Sequence, residues 1–428
     1  MTTTIDETGV EMESVESFRA RAREWLASNI ERSDAGFGFR PSGTDEEELA
    51  HVAEMRALQR TYYEAGFAGI CFPTEYGGQG LSPAHQRAFN EEVSGYQFPN
   101  IVQIPTFVPC AAVLLEFGSE EQKKEHLPKM MSGEEIWMQL LSEPSGGSDV
   151  AGALTTAVRD GEEWVLNGSK IWTSGAYFSD WGLCLLRTNW EVPKHRGLSV
   201  FMVKLHQPGI EIHRIEMSNG SREFCQEFIT DVRVPDSDRV GDVDDGWTIG
   251  TRWMFHERNA MGGGSPYVSG ARHGAAPAAS GTGDNLLELA RKTNQLDDPV
   301  ARDRVGEGLV LSRAGRELSR RITEGMAARV TSDASAAIAR LMTGMVGVRR
   351  SDLALELAGP MAAAAGPDDP EAGIGIGFLV RQGGCIGGGT TEMARNNISE
   401  RVLGMPREMT HDKNMPYRDV PKGPPAKS

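Results

Sequence analysis

Two strings in the middle of this 428-residue chain concentrate residue types able to seat a flat group with polar edges. The first, WMQLLSEPSGGSDV from Trp137, places Gln139, Leu141, Ser142, Gly147 and Ser148 in and just after an apolar run. Gly146 and Gly147 let a backbone approach a bound group closely, and Ser142 and Ser148 offer hydroxyl donors. The second, WVLNGSKIWTSG from Trp164, ends with the apolar face of Trp172 beside the hydroxyls of Thr173 and Ser174. A heteroaromatic ring needs such a face together with hydrogen bonds at its edge. By composition alone, two alternatives stand: a cofactor seat on a β-scaffold, or two ordinary β-turns around a buried tryptophan.

The elements that must position these strings are legible from periodicity. Residues 14 to about 135 read as helical: Val15, Phe18, Ala22, Trp25, Leu26 and Ile30 fall on one helix face. Thr44 with Glu47, and Ser119 with Gln122, have capping-box spacing. The pattern changes near residue 137. Asp160-Gly161 between two β-like runs is a two-residue hairpin signal, and further runs begin at residues 181, 198, 209 and 228. Several short strands within one stretch predict a small barrel or sandwich. There is no strand–helix alternation and no GxGxxG, which argues against a parallel dinucleotide-binding sheet. The helical period returns from residue 246. The expectation is an α+β multidomain fold. It comprises an N-terminal helical domain (1–136), a middle antiparallel β-barrel or sandwich (137–245), a C-terminal four-helix bundle (246–410) and a flexible polar tail (411–428). The Gly-, Ala- and Ser-rich stretch 262–285 is either a mobile loop beside the site or a disordered insertion.

The net charge of −16 argues against nucleic acid and anionic membrane as partners. Five cysteines without a CxxC pair read as free thiols in a reducing cytoplasm. The acidic N-terminus does not read as a signal peptide, no apolar run approaches membrane-spanning length, and no Cys/His cluster has metal-ligand spacing.

The ordered motifs FPTEYGGQGLS, FGSEEQKKEHLPKMMSGE, LLSEPSGGSDVAG, NGSKIWTSGAYFSDWGLCLLRT, HRGLSVFMVKLHQPGIEI, DVRVPDSDRVGDVDDGW and GGGTTEMARNNISERVLGMPRE give the chain its resemblance to the acyl-CoA dehydrogenase family. The likeness covers nearly the whole chain. It implies FAD as cofactor, an acyl-CoA thioester as substrate, removal of hydrogen from the α- and β-carbons to give the trans-2-enoyl product, and an electron-transfer flavoprotein as acceptor. It also implies flavin contacts from Gln139, Leu141, Ser142, Gly147, Ser148, Trp172, Thr173 and Ser174, with Thr390 and Glu392 near the flavin. Ser148 stands where the family places a residue close to the CoA chain.

Many members carry the catalytic glutamate in a C-terminal motif that here reads GGGT, so the glutamate position is Gly388. A glycine cannot take a proton, although its backbone N–H can polarise a thioester carbonyl. The branch resembling the isovaleryl and long-chain enzymes places the base on the first C-terminal helix. WMFHERNAM puts Glu257 at that position, with Arg258 next as a CoA contact or a structural ion pair. Read without the resemblance, Glu257 is an ordinary solvated helix glutamate. His256 reads as helix packing and Cys385 as a buried small hydrophobe.

Two departures touch the pyrophosphate site. The family's RxxFG motif is absent, and its second pyrophosphate loop is represented by ELAGP, with Glu356 where a negative charge would be unfavourable unless screened. Three functional readings follow: a homodimeric or homotetrameric dehydrogenase, a partner subunit of a hetero-oligomer with an incomplete site, or a flavin oxidase on the same scaffold.

Overall fold

The computed structural model describes residues 3–5, 11–33, 43–261, 265–267, 283–366, 372–410 and 412–421. Apart from residues 265–267 and 283–285, the Gly/Ala/Ser stretch 262–285 lies outside the described residues.

A short hairpin, β1 (Thr3–Ile5) and β2 (Glu11–Glu13), precedes a helical part. The helices are α1 (Val15–Asn29), α2 (Asp45–Glu64), α3 (Pro83–Glu92), α4 (Asn100–Pro105), α5 (Ala112–Phe117) and α6 (Glu120–Ser132). Both expected capping boxes form. Thr44 and Ser119 each accept from the backbone N–H three residues on, and Glu47 and Gln122 reach back to the cap. The face foreseen on α1 is the buried one, with Phe18, Ala22 and Leu26 fully enclosed.

A π-helical turn, Thr106–Ala111, joins α4 and α5 into one 18-residue helix, Asn100–Phe117. Pro105 and Pro109 lack the N–H that a regular α-ladder requires, so the ladder widens there. By length and composition this helix could cross a membrane, contrary to the expectation that no apolar run comes near that length. It is 61% buried within the protein and forms the centre of the helical part.

The middle part is an eight-stranded sheet in the order β10-β7-β6-β4-β5-β9-β8, with β3 also beside β6. Its strands are β3 (Trp137–Leu140), β4 (Thr156–Asp160), β5 (Glu163–Ser174), β6 (Trp181–Arg187), β7 (Leu198–Lys204), β8 (Ile210–Arg214), β9 (Phe224–Pro235) and β10 (Arg239–Val240). The β4–β5 hairpin closes on Asp160-Gly161 as expected. Pairing is antiparallel except where β3 and β4 run parallel to β6. Strands β6 and β7 are covered on both faces. Leu183, Leu185, Leu198, Val200 and Met202 point into the core shared with the helices, whereas Cys184, Leu186, Phe201 and Val203 point into the sheet's own core.

The C-terminal part contains α7 (Gly246–Met261), α8 (Gly283–Lys292), α9 (Pro299–Ala327), α10 (Ala336–Ala358), α11 (Pro360–Ala364), α12 (Ala372–Val380) and α13 (Thr391–Asn397). The expected four-helix bundle therefore holds seven α-helices among the described residues. Pro360 starts a new helix, and the left-handed Gly388 and Gly389 separate α13 from what precedes it.

Residues 412–421 do not behave as the flexible polar tail that composition suggests. Tyr417 is 5% exposed, stacks on Trp190 at 5.4 Å, and donates its hydroxyl to the Gly152 carbonyl over 2.6 Å. One large aromatic side chain with a partner for its hydroxyl is enough to anchor the segment.

Candidate functional site

Helix α7 is pinned before it presents anything. Trp253 and Ile249 enter the core, while Arg252 and His256 both engage Glu116 at the end of α5, at 2.7 Å and 2.8 Å. Arg252 holds the Glu116 carboxyl below the usual carboxylate range. His256 is buried, and desolvation lowers its pKa against the pull of Glu116. It therefore anchors the helix, as its packing role implied.

One turn beyond Trp253 on the same face lies Glu257. The Trp253 indole N–H donates to Gln139 Oε1 over 2.8 Å, which turns the Gln139 amide nitrogen toward Glu257 Oε1 at 3.3 Å. Burial pushes the Glu257 carboxyl above its ordinary pKa. The Gln139 hydrogen bond and the charge of Arg258 act in the opposite direction. Arg258 remains partly exposed, and its guanidinium donates to the Met254 carbonyl over 2.9 Å. Desolvation lowers its pKa, and the like charge of Arg401, from the turn after α13, adds to the effect.

The two strings singled out from composition lie side by side: the Ile171 N–H donates to the Ser142 carbonyl over 3.0 Å. Beneath them is an ion pair that composition did not reveal. Lys170 is fully buried and donates to Glu143 Oε1 (2.9 Å) and to the carbonyls of Leu185 (2.6 Å) and Leu141 (3.3 Å). Glu143 also accepts from the backbone N–H groups of Leu154 (2.6 Å) and Thr155 (3.0 Å). Burial alone would raise the Glu143 pKa, but Lys170 and these amides hold it below the ordinary value. The acid of the EPSGGSD turn is therefore a structural anchor, fixing the turn that carries Gly147 and Ser148. The only sequence signal was a lysine six residues after Trp164, which reads equally well as a solvated strand residue.

Above this anchor the surface is open, with an apolar face flanked by hydroxyls. Trp172 is 51% exposed, and its backbone is left-handed, with φ 66°. Gln139, Leu141, Ser142 and Ser174 are half-buried, and Gly147 and Ser148 are exposed. A Cβ built on Gly147 would meet Ser142 Oγ only at 3.6 Å, so internal packing leaves room there for a close approach. Thr173 differs from its neighbours. Its side chain turns inward and its hydroxyl donates to Glu227 at 2.9 Å, leaving only its backbone to this surface. In the C-terminal part Thr390 caps α13, and Glu392 is exposed with its pKa lowered at the helix start. Gly388 has φ 70°, and no hydrogen bond among the described residues joins it to Glu257.

Three consecutive family models match most of the chain: acyl-CoA dehydrogenase N-terminal domain over residues 12–134, middle domain over 139–232 and C-terminal domain over 270–403. The chain belongs to the acyl-CoA dehydrogenase family. Acyl-CoA dehydrogenase IpdE1 of Mycobacterium tuberculosis is 34% identical over 400 residues, covering 93% of this chain and 99% of that protein. Among solved structures, the Tcur3481-Tcur3483 steroid ACAD superposes with a TM-score of 0.71 at 28% identity, covering 92% of this chain and 98% of that one. The ChsE4-ChsE5 complex from Mycobacterium tuberculosis gives a TM-score of 0.67 at 25% identity, covering 95% and 100%. As a member of this family the chain is an oxidoreductase acting on CH–CH groups, and the family is FAD-dependent.

Proposed function

We propose that this chain carries out FAD-dependent α,β-dehydrogenation of an acyl-CoA thioester, with Glu257 as the base. The observation that carries the proposal is the placement of Glu257. It is a half-buried carboxyl on a pinned helix, its pKa raised by burial and its orientation set by Gln139 on the strand leading into the glycine- and serine-rich turn. A carboxyl whose pKa burial has raised is a stronger base for a carbon acid's proton than a fully solvated one.

The residues present fit FAD. The exposed Trp172 face, the half-buried Ser142 and Ser174, and the space at Gly147 together form an apolar platform with polar edges. Bound there, the flavin would supply the hydride acceptor. The protein's own work is to hold the Glu257 carboxylate at the substrate's α-carbon, direct the Gln139 amide at that carboxylate, and offer the Gly388 N–H to the thioester oxygen. Arg258 is assigned to the CoA portion, electrons to an electron-transfer flavoprotein, and the product to the trans-2-enoyl class.

Glu257→Gln tests the assignment. Anaerobic bleaching of the flavin by an acyl-CoA panel is expected in the native protein and lost in the variant, and retained turnover would remove Glu257 from the mechanism. The panel includes bulky ring-bearing thioesters, because one structural neighbour is titled a steroid ACAD.

A second reading, partner subunit of a hetero-oligomer, has its own support. Glu356 of ELAGP is ion-paired with Arg304 at 2.7 Å and with Arg349 at 3.4 Å. Arg349 is itself held by Glu307 at 2.6 Å. Glu356 lies in the last turns of α10, and these charges satisfy one another rather than standing ready for a pyrophosphate. Two structural neighbours carry paired chain names. A stable, yellow, active homo-oligomer from this chain alone would count against this second reading.

A further inference from the structure

One buried carboxyl has no part in the chemistry above. Glu227, on β9, is fully enclosed in the interior of the β-sheet domain. Its Oε2 accepts from Thr173 Oγ1 at 2.9 Å, and its Oε1 has no hydrogen-bond partner among the described residues. Directly across the strand pair stands Lys170, on the same face of the sheet. The three protons of its ammonium are already directed at Leu141, Glu143 and Leu185. A single cation therefore lies among two carboxyls, and Glu143 holds it. A carboxylate at Glu227 would be left in a dry interior with the Thr173 hydroxyl and its own backbone N–H as donors and no cation of its own, an arrangement that desolvation disfavours.

The hydroxyl it holds matters for the surface above. The β5–β9 register slips between Ile171 and Thr173, and Trp172 occupies the slip with φ 66°. A left-handed tryptophan is strained, so the surroundings must impose it. Thr173 is the first residue back in register, and its side chain is tied down by Glu227.

We propose that Glu227 is a positioning residue for the flavin platform: kept neutral inside the sheet domain, it fixes Thr173 and thereby the bulge that turns Trp172 outward, so that flavin retention falls as the solution becomes alkaline. The inference rests on the reading that FAD sits against Trp172. Among the neighbouring titratable groups, Glu223, whose carbonyl accepts from the Gly175 N–H, is itself raised to about 7 by burial, so the Glu227→Gln variant is needed to separate the two carboxyls. Burial raises the Glu227 pKa to about 8, with partial opposition from Thr173, its own backbone N–H and Lys170. Burial also raises Cys184 on β6 to about 12 and Cys225 on β9 to about 11, so neither thiol ionises in the relevant range. The folded pKa lies above the unfolded one. The stabilisation is therefore complete below the ordinary carboxylate range and is lost as pH rises toward about 8.

The test uses the holoprotein, with FAD itself as the probe. Flavin released on graded dilution is followed by its fluorescence at about pH 6 and about pH 9, in native protein and in Glu227→Gln and Glu227→Leu. The native protein is expected to lose flavin affinity roughly tenfold across this range. Glu227→Gln, which still accepts from Thr173 but cannot ionise, is expected to bind equally at both pH values. It should also lack the infrared carbonyl band of a protonated carboxyl seen in the native protein at the lower pH. Glu227→Leu is expected to bind weakly at both, with an altered visible flavin band. Parallel pH dependence in native protein and Glu227→Gln overturns this inference alone. Failure of native protein to hold FAD at either pH overturns both it and the flavin reading.

Discussion

Gln139 and Glu257, 118 residues apart in the chain, are joined by a 3.3 Å hydrogen bond in which the glutamine amide donates to the carboxyl. The bond favours the ionised glutamate and opposes the desolvation that raises its pKa. Gln139→Leu should therefore move the acid limb of the kcat/KM profile to higher pH, because the base then stays protonated further up the scale. Trp253→Phe, which frees Gln139 to rotate, should shift the limb in the same direction by less. Measuring both profiles on one acyl-CoA checks the order; an unmoved limb in Gln139→Leu would separate Gln139 from the base.

Lys170→Met should be among the most damaging single substitutions outside the chemistry. It leaves Glu143 charged and buried without its cation, a loss of about 3 to 5 kcal/mol. Urea unfolding at neutral pH reads it. Because Glu143 has a folded pKa below its unfolded one, the native protein loses this contribution as pH falls below the ordinary carboxylate range, so acid narrows the gap between native and variant.

Gln122 closes a capping box and also crosses to the sheet domain. Its amide donates to the carbonyls of Ser237 (2.7 Å) and Arg239 (2.9 Å). Gln122→Ala should cost about 2 to 3 kcal/mol, from several hydrogen bonds lost in a buried setting. Thr44→Ala, an exposed cap with no such second role, should cost about 1 kcal/mol. Equal melting temperatures for the two variants would mean that the interdomain bonds contribute nothing.

Tyr417→Phe removes the 2.6 Å bond to Gly152 but leaves the ring on Trp190, and should cost about 1 kcal/mol. Tyr417→Ala also removes the cover over Arg187 and should cost about 3 kcal/mol. Thermal unfolding of the two variants measures the difference. A larger loss from Phe than from Ala would contradict the packing role.

What the sequence made legible was local. Capping boxes at Thr44 and Ser119, the Asp160-Gly161 hairpin and the buried stripe of α1 each depend on residues within a few positions of one another. Gln139 and Glu257 each stand out in the sequence, but not as partners, because nothing in either string encodes an encounter across 118 residues. Glu227 escaped notice for a different reason. The β-pattern is evident only from Phe228 onward, whereas the strand begins at Phe224, and a glutamate ahead of a strand reads as solvated. Tyr417 was hidden by its polar, proline-bearing surroundings. Its burial depends on Trp190, Arg187 and Gly152, which lie in a different part of the chain.

The attachment of Tyr417 to Gly152 also orders events during synthesis. Arg187 is fully buried and donates to the carbonyls of Ala151 and Ala153, and the Tyr417 ring closes over it. A ribosome delivers the glycine- and serine-rich turn long before it delivers the tyrosine that seals it. The nascent chain can thus fold its sheet early, yet the turn gains its final brace only when the last helices have emerged.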